Sequence, residues 1–149
     1  MKVTTKFFGE IDIADEKIIT FPGGIIGFPN RKKFTLIKDE EKPDSKVMWL
    51  QSMDEGDYAL PVMEPNVIIE DYNPTIDDEY LTPVGEMGPE DVYALVTITV
   101  PVEVEKMSAN FKAPIVINMK SNKAVQIIVE DDYQVKQPIY DILSAGKEA

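Results

Sequence analysis

Carboxylates are the side chains of this sequence that could carry out chemistry, and there are 27 of them in 149 residues. Glycosidases use two Asp or Glu side chains about 5–10 Å apart, and Glu70 with Asp78 is one candidate pair. Because chance proximity is expected among so many acids, a solvated acidic surface is favoured over a catalytic pair. A carboxylate-dependent carbohydrate-active enzyme or lectin on a β-sandwich therefore stays open as an alternative function.

Histidine and cysteine are both absent from the sequence. Ser-His-Asp and Cys-His nucleophiles, imidazole and thiolate metal sites, and disulfides are therefore excluded. Asp54, Glu55 and Asp57 offer oxygen ligands, but their segment lacks the alternating ligands and the distant Glu of a calcium loop, so a turn is favoured. We predict a protein without enzymatic activity, catalytic residues, bound metal or cofactor.

The negative charge is concentrated in the middle of the chain. Residues 47–105 contain no lysine or arginine and hold 14 of the 27 acids, so 13 acids and all 15 bases remain for the flanks. The flanks together carry +2, against a net charge of −12. A region of one sign repels phosphate backbones and attracts cationic partners, so we predict a protein partner and no direct contact with nucleic acid. The acids of this region, the acidic stretch, are Asp54, Glu55, Asp57, Glu64, Glu70, Asp71, Asp77, Asp78, Glu79, Glu86, Glu90, Asp91, Glu103 and Glu105.

Targeting signals are not evident in the sequence. Residues 1–10 lack the apolar core of a signal peptide, and no run approaches the roughly 20 apolar residues that span a bilayer. We expect a cytoplasmic protein that does not bind membranes and is a monomer.

Short β-branched and aromatic runs separated by turn residues predict an all-β fold. Eleven prolines and eight glycines, without sustained helical periodicity, argue against a helical bundle. The turn spacing favours one small antiparallel β-barrel-like or sandwich domain over residues 1–149. At most one short helix is predicted, near the C-terminus over residues 139–144, with Pro138 at its start and Gly146 at its stop.

The order of elements follows from the same signals. Residues 3–21 suggest a first hairpin, residues 38–46 a solvated loop around Pro43, and residues 71–79 an exposed connection. The remaining predicted strands are residues 34–37, 47–52, 58–63, 67–69, 92–102, 114–119, 124–129 and 133–135, with a hairpin turn at Ser121-Asn122.

Residues 21–33 form a glycine-rich segment that invites comparison with phosphate loops and with the loop of RNA-binding KH modules. The Gly-Lys-Ser/Thr of a Walker motif is absent, and a pI near 4.4 does not suit an RNA-binding loop. We predict a tight turn in which three glycines adopt positive φ, three apolar side chains fill the core and three basic residues form a rim. In order, these are Gly23, Gly24 and Gly27, then Ile25, Ile26 and Phe28, then Arg31, Lys32 and Lys33.

Trp49 and Leu50 suit either an interface anchor or the core, and the core is favoured. Scattered methionines could line an adaptable binding groove, but they more often fill gaps in cores. These methionines are Met48, Met53, Met63, Met87, Met107 and Met119.

Five motifs, in this order along nearly the whole chain, resemble the FliW family of flagellar assembly factors. They are Gly9-Glu10-Ile11, Phe21-Pro22-Gly23-Gly24-Ile25-Ile26-Gly27-Phe28, Trp49-Leu50-Gln51-Ser52, Asn110-Phe111-Lys112-Ala113-Pro114-Ile115-Val116-Ile117-Asn118 and Gln126-Ile127-Ile128-Val129.

The resemblance implies a small cytoplasmic β-barrel-like protein without enzymatic activity that binds flagellin. It also implies binding to CsrA, an RNA-binding translational repressor, which is thereby prevented from silencing flagellin mRNA. Free flagellin, by occupying the same protein, then restores repression until export removes it.

A basic RNA-binding repressor suits an anionic partner. From charge and expected exposure we predict that Glu64, Glu70, Asp71, Asp77 and Asp78 contribute to the surface that faces CsrA. Because flagellin segments are amphipathic helices, we expect their site to be more apolar and less sensitive to salt. A structural module whose acidity only maintains solubility is the second alternative.

Overall fold

A computed structural model describes residues 1–38, 41–42 and 44–148. Within these ranges it contains eleven β-strands and two α-helices. The strands are β1 (Lys2–Thr5), β2 (Gly9–Asp12), β3 (Ile19–Thr20), β4 (Lys33–Ile37), β5 (Met48–Ser52), β6 (Ala59–Met63), β7 (Val92–Thr99), β8 (Ser108–Ala109), β9 (Ile115–Asn118), β10 (Lys123–Gln126) and β11 (Gln137–Pro138), and the helices are α1 (Asp78–Leu81) and α2 (Tyr140–Glu148).

Seven of the strands close into a barrel. The ring runs β3, β4, β5, β6, β7, β9 and β10, and it returns to β3 through a parallel pair between Lys123 and Thr20. The other neighbours in the ring are antiparallel. Closure leaves few free strand edges, so the all-β prediction is confirmed in its barrel form.

The strand β7 is the branch point of the sheet. On one edge its first half pairs with β9, from Val92 to Leu95, and its last two residues pair with β8, which is followed by β11. On the opposite edge β6 pairs with it at Thr97 and Val96. The hairpin β1–β2 forms a separate two-stranded sheet.

Alternating side chains of the ring build a core inside the barrel and a second cluster outside it. Phe34, Leu50 and Leu95 point inward and are fully buried, at a gain of about 1.5–3 kcal/mol for each large apolar side chain. Met63 faces outward, yet it too is buried, because Ile139 at the start of α2 and other residues cover this part of the sheet.

The glycine-rich turn is confirmed only in part. Gly24 and Gly27 adopt φ of +73° and +87°, and Ile25 is buried beneath them. Ile26 and Phe28 were predicted to fill the core but are 48% and 41% exposed. The turn reverses between them, so only one of the three apolar side chains can point into the barrel.

Trp49 and Leu50 separate to opposite faces of β5, as the strand period requires. Leu50 lies in the barrel core. Trp49 is half-buried on the outer face, where Phe7 stacks on it with ring centres 6.3 Å apart. Among the methionines, Met48, Met53 and Met63 are buried as predicted, while Met119 is exposed.

The helical content differs slightly from the prediction. α2 begins at Tyr140 and continues through Gly146 to Glu148, so Gly146 does not stop it. The predicted exposed connection over residues 71–79 leads into one helical turn, α1. The predicted loop around Pro43 lies partly outside the described residues.

Candidate functional site

The carboxylates of the acidic stretch lie on the surface. Thirteen of the fourteen are exposed, and Asp91 is half-buried. In the part of the chain that the structure describes, Glu103 is the one member in an ion pair, with its carboxylate 3.1 Å from the Lys106 ammonium. Most of this charge is therefore not neutralised within the molecule.

The five acids predicted to face CsrA are all exposed, at three places along the chain. Glu64 directly follows β6, Asp77 and Asp78 begin α1, and Glu70 and Asp71 lie in the turn between them. They do not converge on one cavity: Glu64, Asp77 and Asp78 line three different depressions.

Three adjoining depressions form a groove across β7. The edge depression, about 460 Å³, lies between the first residues of β7 and the 3-10 turn Pro65–Val67 and is lined in part by Glu64. The central depression, about 270 Å³, shares Val92 and Ala94 with it. The acidic depression, about 700 Å³, shares Leu81 and Met87 with the central one. We call the three together the β7 groove.

The β7 groove combines an apolar floor with acidic ends. Val92, Ala94 and Val116 form the floor of its central part. Glu64 stands at one end, and the other end is lined by four carboxylates and one base. These are Asp78, Glu86, Glu90, Asp91 and Lys120.

The acidic segment over residues 72–87 forms one wall of the groove. A buried amide and a buried hydroxyl hold it against the barrel. The Asn118 side-chain N–H group, at the end of β9, donates to the carbonyl oxygens of Val84 at 2.8 Å and Glu86 at 3.1 Å. Farther along, the Tyr72 hydroxyl donates to the carbonyl of Phe111 at 2.7 Å. These bonds anchor to the barrel the backbone that carries the exposed carboxylates.

Glu64 is coupled to a tyrosine at the rim of the barrel. Burial and, next, the nearby carboxylate of Glu64 together raise the pKa of Tyr93 to about 12. Tyr93 therefore keeps its proton through the physiological range.

The arrangement does not favour the enzymatic alternatives. Glu70 and Asp78 do not line the same depression, and none of the residues that line the acidic depression is aromatic. The N–H of Tyr58 donates to the carbonyl of Glu55 at 3.0 Å, which confirms a turn at this segment. The Asp54 carboxylate accepts hydrogen bonds from the backbone N–H groups of Lys32 at 2.8 Å and Lys33 at 2.9 Å. Over residues 1–38, 41–42 and 44–148, no group of three or more acids is arranged to hold a metal ion.

Two features escaped the sequence analysis. Arg31, predicted to belong to a simple basic rim, lies over the rings of both Phe28 and Tyr58. The groove on β7 was also missed, although the predicted strand over residues 92–102 is longer than its neighbour over residues 58–63. That mismatch in length signals that part of the longer strand has no partner on one edge.

Among the described residues, no helix combines the length and the apolar character needed to cross a bilayer.

Comparison with known proteins gives one consistent result. A family profile described as FliW protein matches residues 2–139. The flagellar assembly factor FliW of Lachnospira eligens is 45% identical over 146 residues, covering 96% of this chain and 97% of the relative. The protein of the same name from Lachnoclostridium phytofermentans is 43% identical over 143 residues, covering 95% and 92%.

A solved structure agrees with the sequence comparisons. The crystal structure of a flagellar assembly factor FliW superposes with a TM-score of 0.84 at 30% identity, covering 93% of this chain and 96% of the other. The resemblance carried by the five motifs is therefore confirmed, and this chain belongs to the FliW family of flagellar assembly factors.

Proposed function

We propose that this protein is a non-enzymatic, cytoplasmic, monomeric assembly factor that binds flagellin and antagonises the translational repressor CsrA. Binding to CsrA relieves the repression of flagellin mRNA, and binding to flagellin withdraws the protein from CsrA. Its membership of a family of flagellar assembly factors supports this role.

The observation that carries the proposal is the surface position of the acidic stretch. Thirteen exposed carboxylates are concentrated in residues 47–105, where no lysine or arginine offsets them. A protein that binds RNA presents positive charge, so the acidic surface attracts that protein. The same surface repels RNA, which competes for the RNA-binding protein. Solubility alone would not require that the acids be gathered in one region.

Within this surface, we propose that Glu64, Glu70, Asp71, Asp77 and Asp78 face CsrA. Their exposure supports this assignment, and Glu64 and Asp78 also line the β7 groove. The flagellin site is proposed to be more apolar, and the exposed ring of Phe7 stacked on Trp49 shows that the outer face of the barrel offers such surface.

The proposal is tested by titrating the purified protein with CsrA and with flagellin, first separately and then together. We expect saturable binding of each partner, and release of CsrA when flagellin is added. If neither partner binds at micromolar concentrations, the proposed function is wrong. Turnover of a glycoside substrate would instead favour the carbohydrate-active alternative.

A charge-reversal variant tests the CsrA-facing residues. Changing Glu70→Lys together with Asp71→Lys is expected to weaken CsrA binding by about ten-fold or more and to reduce its salt dependence. The matched control is Asp15→Lys with Glu16→Lys, another adjacent and exposed acidic pair that lies outside the acidic stretch. Equal effects of the two double variants would show that only net charge matters.

A further inference from the structure

The first residues of β7 lack a strand partner on one edge. β6 pairs with β7 at Val62–Thr97 and Met63–Val96 and then ends, while β7 continues from Val96 back to Val92. On its other edge this part of β7 is fully paired with β9. The barrel is therefore open between β6 and β7 over four residues of β7, from Val92 to Leu95.

The direction of the backbone groups follows from two hydrogen bonds. The carbonyl of Asp91 accepts from the N–H of Met119 at 2.8 Å, and that of Thr97 accepts from the N–H of Asn110 at 2.9 Å. Both acceptors thus point to the edge shared by β8 and β9. Because alternate residues of a strand point to the same edge, the N–H and C=O groups of Val92 and Ala94 point to the open edge.

The open edge faces a cavity. The edge depression lies directly beside Val92 and Ala94, with Glu64, Asn66 and Val67 on its other wall. Among the described residues, no loop backbone or side chain donates to or accepts from the main chain of Val92 or Ala94. These groups are therefore available to a ligand that offers matching backbone donors and acceptors.

The chemistry of the surroundings defines the ligand. The side chains of Val92 and Ala94 form the apolar floor, and Val92 is 46% exposed. Glu64 lies where β6 ends, and Asp91 lies just before β7 begins. The edge and central depressions are lined by no lysine or arginine. An extended peptide could pair with the free backbone groups and cover the apolar floor with small apolar side chains. Lysine or arginine residues on either side would meet the carboxylates.

We propose that the open edge of β7 at Val92 and Ala94 accepts an extended, positively charged segment of a protein partner as an additional strand. The added strand occupies the position that β6 would take if it continued past Met63. Its backbone pairs with β7, its apolar side chains cover Val92 and Ala94, and its cationic side chains meet Glu64 and Asp91. This inference rests on the proposed function, since it names the segment by which one of the two partners is held.

Amide hydrogen exchange of the Ala94 N–H, followed by NMR on the full chain, reports strand addition directly. In the free protein this amide is expected to exchange fast, because it has no partner. Saturation with CsrA or with flagellin is expected to slow it by about ten-fold or more in one of the two complexes, as a new backbone hydrogen bond forms. If both partners bind and neither protects Ala94, the inference is wrong although the proposed function stands.

A pair of valine variants provides a second readout. Val92→Lys places a cation on the floor of the groove, whereas Val102→Lys adds the same charge at a side chain that is 102% exposed and lies outside the groove. Val92→Lys is expected to weaken binding of the partner that protects Ala94 by about ten-fold or more. Val102→Lys is expected to weaken the same binding by less than about two-fold. Equal affinities of the two variants would overturn the inference.

A synthetic peptide separates failure of this inference from failure of the proposed function. If neither CsrA nor flagellin binds, the proposed function is wrong, and the exchange experiment is repeated with a peptide that alternates valine and lysine. Protection of Ala94 by this peptide upholds the edge as a docking site. Unchanged exchange at saturating peptide rejects it. Should Val92→Lys fail to fold, the exchange measurements on the unaltered chain decide alone.

Discussion

The guanidinium of Arg31 lies 4.0 Å from the centre of the Tyr58 ring. It also lies 4.2 Å from the centre of the Phe28 ring, so the cation contacts both rings, whose centres are 5.1 Å apart. Tyr58 precedes β6, whereas Phe28 and Arg31 belong to the glycine-rich turn. This contact therefore joins the turn to the β5–β6 hairpin. It also covers part of the Phe28 ring, which is 41% exposed.

We predict that Arg31→Ala lowers the free energy of unfolding by about 1 kcal/mol, because two cation–π contacts are lost. Arg31→Lys, which keeps the charge but not the planar group, is expected to lose less. Urea denaturation measures both. Arg31 also lowers the pKa of Tyr58, which burial raises, so the alanine variant should titrate this tyrosine at a higher pH in an ultraviolet absorbance titration.

Replacement of Gly56 is predicted to displace the N-terminal hairpin. A Cβ at Gly56 would overlap the carbonyl oxygen of Thr4, whereas a Cβ at Gly23 would meet open space. Because Phe7, in the loop of this hairpin, stacks on Trp49, Gly56→Ala should change the fluorescence of the sole tryptophan. Gly23→Ala is the matched control, and a spectrum shared by both variants and the parent chain would contradict the prediction.

The stability of the protein is predicted to fall between about pH 10 and pH 12. In the unfolded chain tyrosines ionise near pH 10, whereas Tyr93 in the folded chain keeps its proton until about 12. The folded state thus binds more protons in this window, and stability decreases as pH rises. Below pH 10 the contribution is complete.

Tyr93→Phe is expected to make this decline shallower, as measured by urea denaturation at pH 8, 10 and 11. A fall remains in the variant, because burial also raises the pKa of Tyr72. The measurement at pH 8 isolates the cost of losing the hydroxyl, because Tyr93 does not ionise at that pH in either the folded or the unfolded chain. A pH dependence identical to that of the parent chain would show that Tyr93 is not the group responsible.

The two partners are predicted to differ in their sensitivity to salt. Exposed carboxylates drive CsrA binding in the proposed function, so its affinity should drop steeply as sodium chloride rises from 50 to about 500 mM, where screening lengths fall below 10 Å. Flagellin binding, which buries apolar surface, should change little. Isothermal titrations at several salt concentrations measure both slopes, and equal slopes would argue against two distinct surfaces.

The barrel could be predicted from the sequence because local patterns define its strands. Residues 92–102 and the Ser121-Asn122 turn indicate β7, β9 and β10 without any knowledge of their partners, and Asn122 adopts φ of +56° as a hairpin turn allows. The order of strands around the ring could not be obtained in this way. The parallel pair of Thr20 with Lys123 joins residues that share no local signal.

Only the exposure of the charged residues in the candidate site could be predicted from the sequence. Exposure of Glu64, Glu70 and Asp71 follows from their charge, since ionised groups resist burial. The groove depends instead on where β6 stops relative to β7, which is a property of register between two strands. The position of Arg31 likewise depends on Tyr58, which lies 27 residues away and becomes its neighbour only through tertiary contacts.

The pairing of Thr20 with Lys123 also has a consequence for biosynthesis. The ribosome must have synthesised residue 123 before the ring can close, so the nascent chain spends most of its translation as an open sheet with unpaired edges. The anionic region emerges earlier, and repulsion between its charges on neighbouring nascent chains opposes their association through these open edges.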